Sequence, residues 1–459
     1  MQFIHREAAC AIEAVFLKRY LLCVFFAFFL YMPWTYADDA KKSNNSTKSG
    51  GSVASNPADV NYETGTGELG KLIGFTDKSG IRIGAAWAGD TNYLFCGGAK
   101  PHKWSGNSLF ILDLKLDLDI LLKIPGASVG AQFLQFNGSS TNVEAGTVQG
   151  YNSLPGSPPL TRTELYQLWW RQELFNQKLI IRLGKSCPNF DFNNVISPIP
   201  YSDPTKAIPV VTSVIYTTIF VNGSMLGVLP GYYNSAVGIT VSFTPTEHYF
   251  LTAGCYDGSG ATGRQTGIKD PRFKEYYFSI AETGFTWEYG PQKMPGKFGI
   301  GAWNQSGLLK IPNVVTQKGT QGVYLYGSQR LWFQHPGKDD SGILGFFQYG
   351  INNSKVLPIT AYAGGGLTAL GLVGNRKDDS FGFGFAYSKL NRRLGFRPSE
   401  LLLQGYYQAK LSNNFIVEPV LTYIPTPGAS IPPPASNPSA APTTLKPAWA
   451  ATVRLIALF

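Results

Sequence analysis

Residues Arg162–Lys185, RTELYQLWWRQELFNQKLIIRLGK, restrict the available folds more than any other stretch of the chain. In the first arm Tyr166, Leu168 and Trp170 point one way, and Gln167, Arg171 and Glu173 the other. Asn176-Gln177 is a polar break. In the second arm Leu179, Ile181 and Leu183 share a face opposite Lys178, Arg182 and Gly184. Successive strand side chains point to opposite faces, so the stretch is a β-hairpin with an apolar band on one side and charge on the other. A soluble sandwich alternates too. Two features predict instead that the apolar side meets lipid. Aromatic residues stand where an interfacial girdle would lie, and the opposite face carries bulky Arg and Glu rather than scattered Ser and Thr.

The pattern repeats along the chain. Leu109–Ile120, LFILDLKLDLDI, sets Phe110, Leu112, Leu114, Leu116 and Leu118 against Asp113, Lys115, Asp117 and Asp119, with Leu109 and Ile111 as exceptions. After Pro125-Gly126, Val129, Ala131 and Phe133 oppose Ser128, Gly130 and Gln132. In Ser235–Phe243, Val237, Ile239, Val241 and Phe243 oppose Gly238, Thr240 and Ser242, and Thr244-Pro245-Thr246 turns this arm into the next. Similar arms continue to Ile424. Turns between them are alternately short and long. The expected fold is all-β: a porin-like transmembrane antiparallel β-barrel of about 16 strands, with up to about 18 fitting the length. Lipid cannot satisfy a bare sheet edge, so a spanning sheet must close on itself.

Gly138–Thr161 and Asn189–Gly231, rich in Pro, Ser and Tyr, are expected as extracellular or in-folded loops. Ala429–Pro447 is expected as another, because its prolines exclude helix and central strand. In the closing stretch Ala448–Phe459, Val453, Leu455, Ala457 and Phe459 lie opposite Thr452 and Arg454. This is expected to be a barrel strand, and its ending in Phe resembles what outer-membrane assembly machinery recognises.

Only one run is long and apolar, Tyr20–Trp34. Lys18-Arg19 precede it and Thr35-Tyr36-Ala37 follow. It is short for a helical span and contains Pro33. Residues 1–37 are therefore expected to be a secretory signal peptide cleaved after Ala37, although the long lead-in Met1–Leu17 leaves the start codon open. Residues 38–62, rich in Ser, Asn, Lys and Gly, are expected to form a flexible linker. Residues 63–459 form the barrel, with a short helix at 68–73. A mean hydropathy of -0.05 is too low for a helical membrane bundle, and only 15% of residues are charged.

The signal segment removes three of 39 basic and two of 29 acidic residues, so a net charge of +10 becomes +9. The positive charges are dispersed and the chain is exported, which argues against nucleic acid as a partner. Cys96, Cys187 and Cys255 remain after cleavage. An odd number cannot all pair internally; one Cys96–Cys187 disulfide and three thiols are both open. No CxxC or Cys/His ligand spacing occurs, so neither a metal nor another cofactor is indicated.

These segments resemble the OprB-type carbohydrate-selective porins from about Leu72 to the end. The resemblance is carried by Trp104-Ser105-Gly106-Asn107-Ser108 with the LFILDLKLDLD arm and Gln135–Gly138, and by Leu165–Trp170 with Lys178–Gly184. Phe243-Thr244-Pro245 with Ala253–Gly258, and Met294-Pro295-Gly296-Lys297 with Gly301-Ala302-Trp303, continue it. So do Gln329-Arg330-Leu331-Trp332 and Arg376, Asp379, Gly382 and Gly384. The family's N-terminal WGG-R motif is absent around Gly65–Leu72, and Gln404 stands where a Glu is common.

The resemblance implies an outer-membrane porin for passive, carbohydrate-selective diffusion of mono- or small oligosaccharides into the periplasm. Sugars suit aromatic contacts on one wall and charged donors and acceptors on the other. Asp113, Lys115, Asp117, Gln167, Arg171, Arg182, Glu282 and Arg330 are the pore-lining candidates. Expected partners are sugars, outer-membrane lipid and the assembly machinery; monomer and homotrimer are both open. The alternative is a general or anion-preferring porin, favoured by the positive charge. A barrel enzyme would need a nucleophile with a nearby base, and His102, His248 and His335, the histidines that remain, lack a patterned Ser and carboxylate beside them.

Overall fold

The computed structural model describes residues 68–459 apart from positions 77, 153, 155–158, 194, 196–221, 232–233, 265–270, 274, 375, 413 and 432–442. The expected signal peptide and linker lie outside the described residues. A short helix, α1 (Glu68–Leu72), precedes the sheet. The strands are β1 (Ile81–Gly98), β2 (Lys103–Asp117), β3 (Ala127–Asn137), β4 (Thr161–Leu174), β5 (Leu179–Ser186), β6 (Ala236–Phe243), β7 (Tyr249–Asp257) and β8 (Tyr277–Tyr289). They continue as β9 (Met294–Ile311), β10 (Val315–Phe333), β11 (Gly342–Asn352), β12 (Ile359–Leu370), β13 (Ser380–Leu390), β14 (Ser399–Lys410) and β15 (Phe415–Thr426). Then come β16 (Ser430–Ile431), β17 (Thr443–Thr444) and β18 (Lys446–Leu458).

Sixteen of these strands close one antiparallel barrel, while β16 and β17 pair only with each other. Each barrel strand bonds its sequence neighbours, and β18 closes the sheet between β15 and β1. At this seam Ala85 and Phe459 exchange both backbone hydrogen bonds, at 3.0 and 2.8 Å. A closed sheet leaves no ladder unpaired, which is the condition for crossing lipid with strands. Short turns at 175–178, 244–248, 290–293 and 411–414 mark one end, here the turn end. Long connections at 138–160, 187–235, 258–276 and 427–445 mark the other, the loop end.

The outer face carries the apolar residues. Leu168, Leu183, Ile239, Ile300, Leu367, Leu421 and Val453 are exposed there. Phe243, Tyr249, Phe285 and Trp332 ring the turn end, and Tyr277, Trp104 and Trp449 the loop end. Tyr423 stacks on Trp449 with centroids 4.4 Å apart. Two aromatic girdles around an apolar band are the surface a bilayer requires.

Two local readings of the sequence are corrected. Gln132 pairs Gln167 but Phe133 pairs Leu165, so Tyr166 is a β-bulge. The extra residue reverses parity. Tyr166 does not join Leu168 and Trp170 outside; it is buried in a cluster with Leu134, Phe136 and Cys187. Leu118 and Asp119 leave the strand pattern because α2 (Leu118–Leu122) begins there. The Asp117 carboxylate caps it, accepting from the amides of Asp119 at 3.1 Å and Ile120 at 3.3 Å. At the loop end α3 (Thr141–Ala145) opens the segment that follows β3.

Candidate functional site

The lumen has two chemically distinct walls. The wall from β18 through β1 to β5 carries polar networks on either side of a buried apolar cluster that includes Leu109, Ile111, Leu134, Phe136 and Tyr166. Asp90 on β1 accepts from the side-chain amides of Asn92 at 2.8 Å and Asn107 at 2.9 Å on one oxygen. Its other oxygen accepts from Asn152 at 2.7 Å and from Arg454 on β18 at 3.0 Å. Further round, Asp113 on β2 accepts from Gln132 on β3 at 2.8 Å, and Gln132 accepts from Gln167 on β4. Arg171 pairs with Glu173 at 3.0 Å, and Arg182 with Asp191.

The wall from β7 to β14 is aromatic. Phe250, Tyr256, Phe278, Trp303, Tyr324, Tyr326, Tyr362 and Tyr406 form one buried cluster there. The long connection between β5 and β6 supplies the cover: its Phe192, Val195, Met225, Val228 and Leu229 belong to the same cluster. Glycines make room for the rings. A Cβ on Gly301 would stand 2.3 Å from the Tyr324 ring, and one on Gly299 would stand 2.5 Å from that of Tyr326. Both rings therefore lie flat across β9 and carry their hydroxyls to Glu282 on β8, at 2.8 and 2.5 Å. The backbone amide of Asn193 also donates to Glu282, at 2.6 Å. Asn193 holds φ +53°, a left-handed value that asparagine tolerates, and its side-chain amide donates to Gln348 at 2.6 Å. Lys297 lies 5.4 Å from the centroids of both Phe250 and Tyr326.

The candidate residues divide accordingly. Asp113 and Lys115 are half-buried on the inner face of that wall, Gln167 and Arg171 are buried beside them, and the Arg182 side chain, held by Asp191, is only 10% exposed. Three candidates have other contacts than a pore-lining role requires. Asp117 caps α2. Glu282, 2% exposed, is enclosed by two tyrosines and Asn193. Arg330, 1% exposed, donates to the Asp340 carbonyl at 3.0 Å and lies 4.7 Å over Phe333. The in-folded segment covers Glu282, and the turn after β10 engages Arg330; parity fixes the face of a strand residue but not what lies upon it.

Asp90, Arg454, Asn193, Glu400 and the tyrosine pair were not picked out by the sequence reading. Tyr324 and Tyr326, two apart on one strand opposite Gly301 and Gly299, carried the only visible signal. Cys96, Cys187 and Cys255 are all unbonded thiols, which decides between the two cysteine alternatives. Burial pushes the Cys187 thiol up to about 12. His102, His248 and His335 all stand in turns, off the barrel wall. Among the described residues no group of three His, Cys, Asp or Glu could hold a metal ion.

The sequence matches the family described as carbohydrate-selective porin, OprB family, over residues 108–455. Pseudomonas putida OprB in its high-pH structure superposes with a TM-score of 0.68 at 17% identity, covering 86% of this chain and 99% of that one. Its low-pH structure gives 0.49 at 16% identity, covering 85% and 94%. The outer membrane protein OmpT of Vibrio cholerae, in its trimer form, gives 0.46 at 10%, covering 83% and 99%. The high-pH structure shares the fold. No curated protein matches the sequence.

Proposed function

The chain belongs to the OprB family of carbohydrate-selective porins, and we propose that sugars pass along the wall from β18 through β1 to β5, past Asp113 and Lys115. The protein is an outer-membrane channel for carbohydrates. The observation that supports this side of the lumen is the cover on the other. The aromatic wall is covered by the β5–β6 connection through Glu282 and Asn193, and Asp191 of the same connection engages Arg182, whereas Asp113 and Lys115 keep part of their surface. Charged donors and acceptors engage several sugar hydroxyls at once. Gln167 and Arg171 hold the wall's shape behind them.

Liposome swelling with sugars of matched size, against uncharged non-sugars, tests the selectivity. Uptake set by size alone would leave a general diffusion porin. The positive net charge favours that second reading in its anion-preferring form. Reversal potentials address it: Lys115→Glu is expected to shift the preference toward cations, by roughly two- to fivefold in permeability ratio, with the barrel still assembled. An unchanged reversal potential in assembled protein would remove Lys115 from the path.

Export by a signal peptide cleaved after Ala37 belongs to the same proposal, and a mature N-terminus other than Asp38 would contradict the cleavage site. So does recognition of β18 by the assembly machinery. The Phe459 side chain is exposed at the turn-end rim, where aromatics are favoured. Phe459→Asp is expected to lower the outer-membrane level of folded barrel severalfold and leave inner-membrane export intact. Fractionation with unheated gels reads this, and wild-type levels would sink the assignment. Assembly as a monomer or a trimer is read by cross-linking.

A further inference from the structure

We propose that Glu400 is a positioning residue that fixes the aperture at the loop end of the channel. It lies on the inner face of β14 and is fully buried. Its carboxylate accepts three backbone amides: Val148 at 2.8 Å, Gln149 at 2.8 Å and Gly428 at 2.7 Å. Two come from the segment after α3 and the third from the connection between β15 and β16. One side chain thus holds two loops that are remote in sequence. They also touch each other there, the Ala429 amide donating to the Gly146 carbonyl at 2.9 Å.

The chemistry selects a carboxylate. All three donors are backbone N–H groups, and two oxygens with spare lone pairs receive them. A carboxamide of the same shape would turn an NH2 toward at least one of the donors, leaving a buried N–H without a partner. The far side of the first segment is tied to the wall at β1, where Asn152 donates to Asp90. Gln404 adds a single bond to the Tyr151 carbonyl at 3.2 Å. Ser388 on β13 also bonds the Gln149 side chain, and the Arg397 amide donates to the Gly428 carbonyl at 3.0 Å, but Glu400 alone binds both segments, residues 146–152 and 428–429, to β14 through one side chain.

The test rests on the channel reading but does not depend on sugar selectivity, because ion conductance reports the aperture by itself. Glu400→Gln is expected to assemble with wild-type unheated gel mobility. Its single-channel conductance should change on the order of twofold, with a shifted size cut-off for sugars. Assembled Glu400→Gln with wild-type conductance and cut-off would overturn the proposal. Should that variant fail to assemble, Val148→Pro is read the same way: it deletes one donor and keeps the carboxylate. The double variant should change conductance no more than Glu400→Gln alone, since both act through one contact. Additive changes would assign the effects to separate causes and overturn the proposal.

Discussion

Leu183→Arg is expected to cost the barrel about 2–4 kcal/mol near the bilayer midplane, whereas Leu183→Ala should assemble. Leu183 is 57% exposed on the outer face of β5, paired across the ladder with Trp170 and Ile239, both also exposed. A guanidinium there must be buried in hydrocarbon or reach for an interface at the expense of local packing. Its neighbour Arg182 sits one residue away on the inner face, bonded to Asp191. The same charge is thus tolerated or excluded according to parity alone. Folded fraction on unheated gels, and urea titration in lipid vesicles, measure the difference. Wild-type stability of Leu183→Arg would mean that the face assigned to lipid is wrong.

That parity was the legible part of the sequence. Lipid outside and polar lumen inside impose a two-residue period on every strand, so the barrel could be read from Leu112–Leu116 or Leu179–Leu183. The misreadings share a cause. Leu109 and Ile111 break the pattern because they are inner residues that belong to an apolar cluster with Tyr166 and Cys187. Tyr166 was misplaced because a single inserted residue carries no mark in the sequence yet reverses every position beyond it. Glu282 was on the correct face, but its environment is made by Asn193, 89 residues earlier. Glu400 takes two of its three partners from 251 and 252 residues away and the third from 28, and no local spacing encodes them. Gln404 drew notice as a departure from the family pattern; in the structure it donates to Tyr151 and to Thr422.

The closing seam shows how much depends on one such long-range contact. Arg454 on β18 stands in register with Asp90 on β1 and with Glu418 on β15. It bonds Asp90 at 3.0 Å and the Asn152 side-chain oxygen at 3.2 Å, and all three charged side chains are nearly or fully buried. Arg454→Leu would remove the cation that stands in register between Asp90 and Glu418, the two carboxylates on the strands flanking β18 where the barrel closes. Removing one partner of a buried ion pair typically costs about 3–5 kcal/mol, chiefly because the remaining charge is stranded. Two stranded carboxylates also repel. The expected result is a sharp loss of folded barrel. The double variant Arg454→Leu/Asp90→Asn should regain part of it, because one of the stranded charges is gone while the amide ties from Asn92 and Asn107 have an acceptor oxygen still in place. Unheated gel mobility and urea midpoints for the two variants provide the comparison. If the double variant were no more stable than Arg454→Leu, the cost would come from lost packing of the arginine stem rather than from stranded charge, and the electrostatic account of the seam would fail.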